Sequence, residues 1–282
     1  MSDGPDRGAI PVFPELTEDV ISRMANSADP RLRDIMEILV RHLHAFVREA
    51  SLTQSEWWHA IEFLTRTGQI CSDSRQEFIL LSDILGVSML VDAVNNRSGP
   101  GITASTVLGP FYAGHQRELH QGETILLREE VGDPVAMEGE VTAADGTAVG
   151  NALIEVWQTA PNQLYDVQDE NQPEGHLRAS FRTDEHGRYR FKSILPVSYP
   201  IPYDGPAGQL LQHLGRHPFR PAHVHFMISA PGYRTLVTHL FLSGDEYLES
   251  DAVFGVKQSL VVTPVVQDGI TKIVYDFGLA RN

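Results

Sequence analysis

The sequence predicts an α+β fold, helices first and a β-sandwich after them. Three observations predict it. Apolar residues recur at helical spacing as far as about residue 95. From about Val107 onward the apolar period is two, and the apolar runs follow one another with no helical segment between them. Between these regions lies a Gly- and Pro-containing stretch, "NNRSGPGI" at 95–102, which reads as the boundary. The expected division is therefore a helical region at 1–105 and an antiparallel sandwich at 106–282.

The helices follow in order. In "SADPRLRDIMEILVRHLHAFVREA", Asp29 can cap a helix that has Pro30 at its first position. Leu32, Ile35, Leu39, Leu43, Phe46 and Val47 then share one apolar stripe. In "TQSEWWHAIEFLTRTG", Thr53 and Glu56 have capping-box spacing and Gly68 is a stop signal. "SRQEFILLSDILGVSMLVDAVNN" pairs Ser74 with Glu77 in the same way, and its pattern runs through Phe78, Leu81, Leu85, Met89 and Val94, with Gly86 as a weak point. His42, His44 and His59 belong to these helices and read as surface or interhelix residues.

The strands come next. Val135, Met137, Gly139 and Val141 alternate, and "ALIEVWQ" reads as a strand buried on both faces. "FRTDEHGRYRF" reads as a hairpin turning at 184–187. "HVHFMIS", "TLVTHLFL", "SLVVTPVV" and "KIVYDF" read as four further strands. The Pro- and Gly-rich stretch at 200–221 reads as a long irregular loop, of the kind that usually carries function.

Composition excludes several classes. The 282 residues carry a formal charge of −15, which disfavours nucleic acid and anionic membrane surfaces as partners. There is no run of 18 apolar residues, so no membrane span is expected. The first 30 residues lack a basic stretch followed by an apolar one, so no secretory signal is expected. A single cysteine, Cys71, cannot form an internal disulfide and fits a reducing cytoplasm.

The chemistry concentrates in "RPAHVHF" at 220–226. On a strand, His223 and His225 point to the same face, about 7 Å apart along the chain. Two imidazoles so placed fit either a pair bonded to backbone and water or two ligands of one ion. Tyr165, just after the buried strand, and Tyr199, at the start of the long loop, are candidate partners. Either could equally be a half-buried aromatic with a bonded hydroxyl. As phenolates they would be hard anionic donors, suited to Fe(III) rather than to zinc. Two phenolates and a hydroxide balance a +3 charge, and two neutral imidazoles complete five ligands. A zinc hydrolase using His223, His225 and His239 is a competing reading, and a metal-free binding module is another. A cupin-like site is disfavoured, because Ile228 and Ser229 stand where a carboxylate would be needed.

Four stretches, "GPFY" at 109–112, "NALIEVWQTAPNQLYDVQ", "RTDEHGRYRFKSILPVSYPIPYDGP" and "GRHPFRPAHVHFMISAPGYRTLVTHLF", together resemble the intradiol ring-cleaving dioxygenases. The resemblance spans nearly the whole chain. It implies one non-haem Fe(III) per chain, held by Tyr165, Tyr199, His223 and His225. It also implies Arg220 as the active-site arginine and Tyr199 as a ligand that leaves and accepts a substrate proton. The substrates implied are a catechol-type ring and O2, with no NADH or flavin. "FILLSDILGVSMLVD", "VTHLF" and "YLESDAVFGVKQSLVV" are most similar to the hydroxyquinol-cleaving branch; catechol and chlorocatechols are the alternative substrates. His239 departs from the glutamine common in catechol-cleaving members. The resemblance further places Leu80, Asp83, Val107, Leu108, Gly109, Pro110, Phe111, Ile201, Pro202 and Val253 at the substrate pocket. It makes the sandwich the catalytic domain and the helical region a dimerisation or linker region, with a phospholipid-like amphiphile bound there.

Overall fold

In the computed structural model, residues 14–72, 75–96, 99–114 and 117–282 are described. The chain clusters into two units, Met1–Arg66 and Thr67–Asn282.

The first unit is helical. Helix α1 is Pro14–Ser22, and α2 is Pro30–Ala50. The Asp29 carboxylate accepts from the Leu32 N–H at 3.0 Å, as its sequence position predicts. Thr17 and His44 tie α1 to α2 at 2.9 Å, so His44 is an interhelix residue. Helix α3 is Gln54–Gln69. Its cap is reciprocal, with Thr53 N–H donating to Glu56 Oε2 at 2.8 Å and Glu56 N–H donating to Thr53 Oγ1 at 3.2 Å. The helix runs one residue past Gly68. The α2 stripe is present as expected, and Leu32, Ile35, Leu39, Leu43 and Phe46 on it are all exposed.

The second unit, which takes up the last residues of α3, carries next two short helices where one was expected. These are α4, Glu77–Ile84, and α5, Val87–Asn95. The break falls at Gly86, whose φ of +73° is left-handed and ends the first helix. The expected partner of Glu77, Ser74, lies outside the described residues. Glu77 instead is buried and bonded to Arg75.

The strands are β1 Pro134–Ala143, β2 Leu153–Trp157, β3 Arg178–Arg182 and β4 Arg188–Ile194. They continue with β5 Tyr199–Pro200, β6 Phe219–Arg220, β7 His223–Ser229 and β8 Leu236–Leu242. The last are β9 Val261–Val262, β10 Val265–Gln267, β11 Ile270–Val274 and β12 Phe277–Leu279. One sheet runs β10-β11-β1-β12 with β4 also on β1, another runs β3-β2-β7-β8-β9, and β5 and β6 form a small ribbon. Val135, Met137 and Val141 from the first sheet and Ile154, Val156, Val224, Phe226 and Leu240 from the second fill one buried core.

Three details differ from the sequence reading. The sheets are mixed: β1 pairs parallel with β11 and then β12, and β8 pairs parallel with β9. The switch from β11 to β12 occurs at Gly139, where a Cβ would lie 1.9 Å from the Tyr275 carbonyl and the Asp276 carboxylate takes the Glu140 N–H at 2.9 Å. Second, the turn at 184–187 forms, but β3 joins β2 and β4 joins β1, so the chain crosses between sheets instead of making a hairpin. Phe181 and Phe191 stack at 5.0 Å inside the core, so these strands meet through their faces and not their edges. Third, the stretch at 200–221 contains helix α6, Pro206–His213, with Pro206 in its first turn and Glu77 Oε1 accepting the Ala207 N–H at 3.0 Å.

Phe226 is fully buried and packs on Phe277 at 4.8 Å. Phe226→Ala should lower unfolding free energy by about 3–5 kcal/mol, measured in urea melts. A loss under about 1 kcal/mol would show that the two sheets do not depend on this core.

Candidate active site

The register of the second sheet builds the site. Arg178 pairs with Trp157, Trp157 with His225, and His225 with His239, so these four residues form one row across β3, β2, β7 and β8. Alternation sends Val224, Phe226 and Leu240 into the core and leaves the row on the opposite face. Trp157 stacks on the His225 ring at 4.7 Å. His223 and His225 are each 1% exposed, and their Nε2 atoms lie 3.1 Å apart.

Two tyrosines close the group. Tyr165 enters just after β2, and its hydroxyl is 2.9 Å from His225 Nε2 and 3.2 Å from the Tyr199 hydroxyl. Tyr199 is on β5, paired with Arg220 on β6, and its hydroxyl is 3.4 Å from His223 Nε2. Four oxygen and nitrogen atoms thus face one another within hydrogen-bond distance, all buried. Arg220 Nη1 donates to His223 Nε2 at 3.2 Å, so that nitrogen is an acceptor and His223 Nδ1–H donates to the Pro221 carbonyl at 2.7 Å. The lone pairs of several donors therefore converge on one small volume, an arrangement suited to a cation. The donor nitrogens of His223, His225 and His239 also lie within 4.8 Å of one another.

Electrostatics agree. Burial pushes both tyrosine hydroxyls up, and Arg220 counters this at Tyr199. Burial holds all three histidines well below the ordinary range, so they are neutral and can donate lone pairs. Burial opposes the charge of Arg220, but Asp251 beside it more than compensates and keeps it cationic. Arg220 Nε donates to Asp251 Oδ1 at 3.1 Å, and Asp251 also accepts from the Gly255 N–H at 2.9 Å.

The residues expected at the pocket are distributed as follows. Phe111 stacks on Tyr165 at 4.6 Å. Gly109 lies against His225, and a Cβ there would come within 3.2 Å of its Cε1. Asp83 is 4% exposed, bonded to Ser88 and within the field of Arg220 and Asp251; burial raises its carboxyl. Leu80, Ile201 and Val253 are buried, Val107 and Pro202 are half-buried, and Leu108 and Pro110 are exposed. Cys71 is partly buried, its thiol donating to the Thr67 carbonyl.

Sequence reasoning missed three supporting residues. Arg178 donates to Asp166 Oδ1 at 2.5 Å and to the Phe111 carbonyl at 2.6 Å, and its guanidinium sits 5.7 Å from the Tyr165 ring centre. Its signal was a charged residue opening a buried strand. Asp251, the partner of Arg220, had only its place in "YLESDAVFG". Thr106, bonded to His239, had no signal.

The three neutral histidines set a pH dependence. Their folded pKa values lie below the unfolded value of about 6.5, so the unfolded chain takes up protons first as pH falls. Stability is present above that value and is lost below it, by up to about 1.4 kcal/mol per pH unit for each histidine. Asp83, raised by burial, acts in the opposite sense but is one group against three. Metal-free protein should therefore melt several degrees lower at pH 5 than at pH 7 in calorimetry. An unchanged melting temperature would contradict neutral burial of the three rings.

Among known protein families, one described as "Dioxygenase" matches residues 107–280, and one described as "Catechol dioxygenase N terminus" matches residues 29–102. The chain is 49% identical over 265 residues to 6-chlorohydroxyquinol 1,2-dioxygenase of Cupriavidus pinatubonensis, covering 94% of this chain and 96% of that protein. It is 51% identical over 245 residues to hydroxyquinol 1,2-dioxygenase of a Rhizobium species, covering 86% and 83%. The crystal structure of hydroxyquinol 1,2-dioxygenase from Pseudomonas putida DLL-E4 superposes with a TM-score of 0.90 at 46% identity, covering 95% of this chain and 98% of that one. With a helical front, a mixed-sheet sandwich and relatives this similar along most of its length, the chain belongs to the intradiol ring-cleavage dioxygenases.

Proposed function

We propose that this enzyme opens hydroxyquinol (1,2,4-trihydroxybenzene) between its adjacent hydroxyls with O2. The product is 3-hydroxy-cis,cis-muconate, the enol tautomer of maleylacetate. Tyr165, Tyr199, His223 and His225 hold one Fe(III) per chain. The observation that carries this reading is the convergence of two phenol oxygens and two imidazole nitrogens within 2.9–3.4 Å around one buried point. That donor set, hard and able to supply two negative charges, fits a trivalent ion. A zinc site of His223, His225 and His239 fits less well, because His239 Nε2 faces His225 Nδ1 at 2.7 Å and not the Nε2 shared with the tyrosines. The names of the similar dioxygenases support the substrate.

When bound, Fe(III) would supply Lewis acidity that lowers the pKa of the substrate hydroxyls. The protein's own groups do the rest. Tyr199, as a phenolate, would take up a substrate hydroxyl proton as the diol binds and become the neutral phenol. Arg220, fixed by Asp251, places a permanent cation next to His223 and Tyr199, where negative charge develops on the attacked ring. Phe111 and Gly109 are apolar neighbours of Tyr165 and His225 that keep water from the ring faces. Asp83 accepts the third hydroxyl of the substrate, and its burial makes an unpaired partner costly there.

The exposed apolar residues of α2 support a homodimer built through the N-terminal helices, with a phospholipid-like amphiphile bound in the helical region. No helix among the described residues is long and apolar enough to cross a membrane. The acidic charge and the lone free cysteine support a cytoplasmic location.

Purified protein should be wine-red from tyrosinate-to-iron charge transfer and contain one iron per chain. Tyr165→Phe should lose iron or shift the visible band. Arg220→Ala should keep iron and lose about a hundredfold in turnover, the scale of one oxyanion-type contact. Colourless, fully active protein would sink the iron assignment, and unchanged turnover would remove Arg220 from the chemistry.

Selectivity tests Asp83. Oxygen uptake should favour hydroxyquinol over catechol by roughly ten- to a hundredfold in kcat/KM. Asp83→Ala should slow hydroxyquinol and narrow that gap. Equal losses on both substrates would return Asp83 to a purely structural role, and a preference for catechol or chlorocatechol would overturn the substrate.

A further inference from the structure

We propose that His239 is a positioning residue that fixes the tautomer and donor strength of His225, with Thr106 as its anchor; this rests on the iron-site reading above. His225 and His239 are register partners on β7 and β8, so their rings are neighbours on one face. His225 Nε2 belongs to the donor group with Tyr165 and His223. Its other nitrogen, Nδ1, is 2.7 Å from His239 Nε2, and His239 Nδ1 is 2.9 Å from Thr106 Oγ1. His239 is 0% exposed, so bulk solvent does not reach either nitrogen.

One proton arrangement satisfies the chain. A ring nitrogen turned toward a cation carries no hydrogen, so neutral His225 carries its hydrogen on Nδ1. That N–H donates to His239 Nε2. His239 must then carry its own hydrogen on Nδ1, and it donates to the Thr106 hydroxyl. The 2.7 Å spacing is a hydrogen-bond distance and is shorter than the roughly 2.9–3.4 Å between two nitrogens bound at about 2.0–2.1 Å to one ion. His239 is therefore a bonding partner of His225 and not a third ligand.

The anchor is itself fixed. The Thr106 N–H donates to the Val237 carbonyl at 2.9 Å, Thr238 Oγ1 donates to the Ala104 carbonyl at 2.7 Å, and Lys257 Nζ donates to the Ser105 carbonyl at 2.5 Å. Segment 104–106 is thus sewn to β8 and to Lys257. The two histidines of the donor group differ in this respect. His223 Nδ1 donates to a main-chain carbonyl, at Pro221, which no side-chain substitution removes. His225 depends on a side chain. An imidazole nitrogen is also a stronger proton acceptor than a carbonyl oxygen, so it draws the Nδ1 hydrogen further and makes His225 Nε2 the more basic donor.

The test compares parent, His239→Leu, His239→Gln and Thr106→Val proteins. Iron per chain is measured by elemental analysis, iron affinity by chelator competition, and the visible band by absorption; circular dichroism confirms folding. His239→Leu should bind iron about ten- to a hundredfold more weakly and shift the band. His239→Gln should recover most of both, because its amide oxygen still accepts from His225 Nδ1–H. Thr106→Val should show a smaller loss in the same direction. Folded His239→Leu with parental affinity and an unshifted band overturns the inference while leaving the iron site intact. Should His239→Leu not fold, parental affinity and band in Thr106→Val overturn it instead. A parent protein without iron overturns the iron-site reading and this inference with it.

Discussion

The imidazoles of the site depend on the register of β7 between β2 and β8. That register puts Trp157, His225 and His239 in one row and sends Val156, Phe226 and Leu240 into the core on the opposite side. A slip of one residue would bury the histidines among Phe181, Phe191 and Phe277 and expose the core residues. The apolar alternation of three strands is therefore what aims the imidazoles. Core packing and site geometry are one constraint, because every residue that fills the sandwich fixes the direction of a neighbour on the other face.

The second constraint is charge. Two buried guanidiniums flank the tyrosines, Arg220 at Tyr199 and Arg178 over Tyr165. Each has its own buried carboxylate, Asp251 and Asp166, so neither is an uncompensated charge. Without a cation, both hydroxyls are pushed up by burial and stay protonated. The phenolate forms become favourable only when positive charge enters the group, so under the proposed function cation binding and ionisation of the tyrosines would be coupled.

Local signals in the sequence were legible. Asp29 with Pro30, and Thr53 with Glu56, act within one helical turn, and their bonds form as their spacing implies. The His223–His225 alternation was legible because strand periodicity places both on one face. What the sequence hid depends on distant pairing. Nothing near residues 184–187 says that the strands on either side belong to different sheets. Parallel pairing of β1 with β11 and β12 joins segments over 130 residues apart. Arg178, Asp251 and Thr106 act through partners that only the folded register brings near.

The two tyrosines are not equivalent in the fold, and the difference bears on the roles proposed for them. Tyr165 is held on several sides: Phe111 stacks on it, Arg178 lies over its ring, and Asp166 next to it is paired with Arg178. Its backbone N–H is also bonded, to Gln168 Oε1 at 3.1 Å. Tyr199 sits on a ribbon of two residues per strand, outside both large sheets. Few ladder bonds oppose a shift of that backbone segment, while Arg220, its register partner, stays fixed by Asp251. Burial raises both hydroxyls; their mutual contact raises that of Tyr165 and lowers that of Tyr199. If one phenol is to leave the group and carry a proton, the less restrained one costs less to move. Under the proposed function the two-residue ribbon favours Tyr199 as that residue, with Tyr165 and the two histidines as the firmer frame.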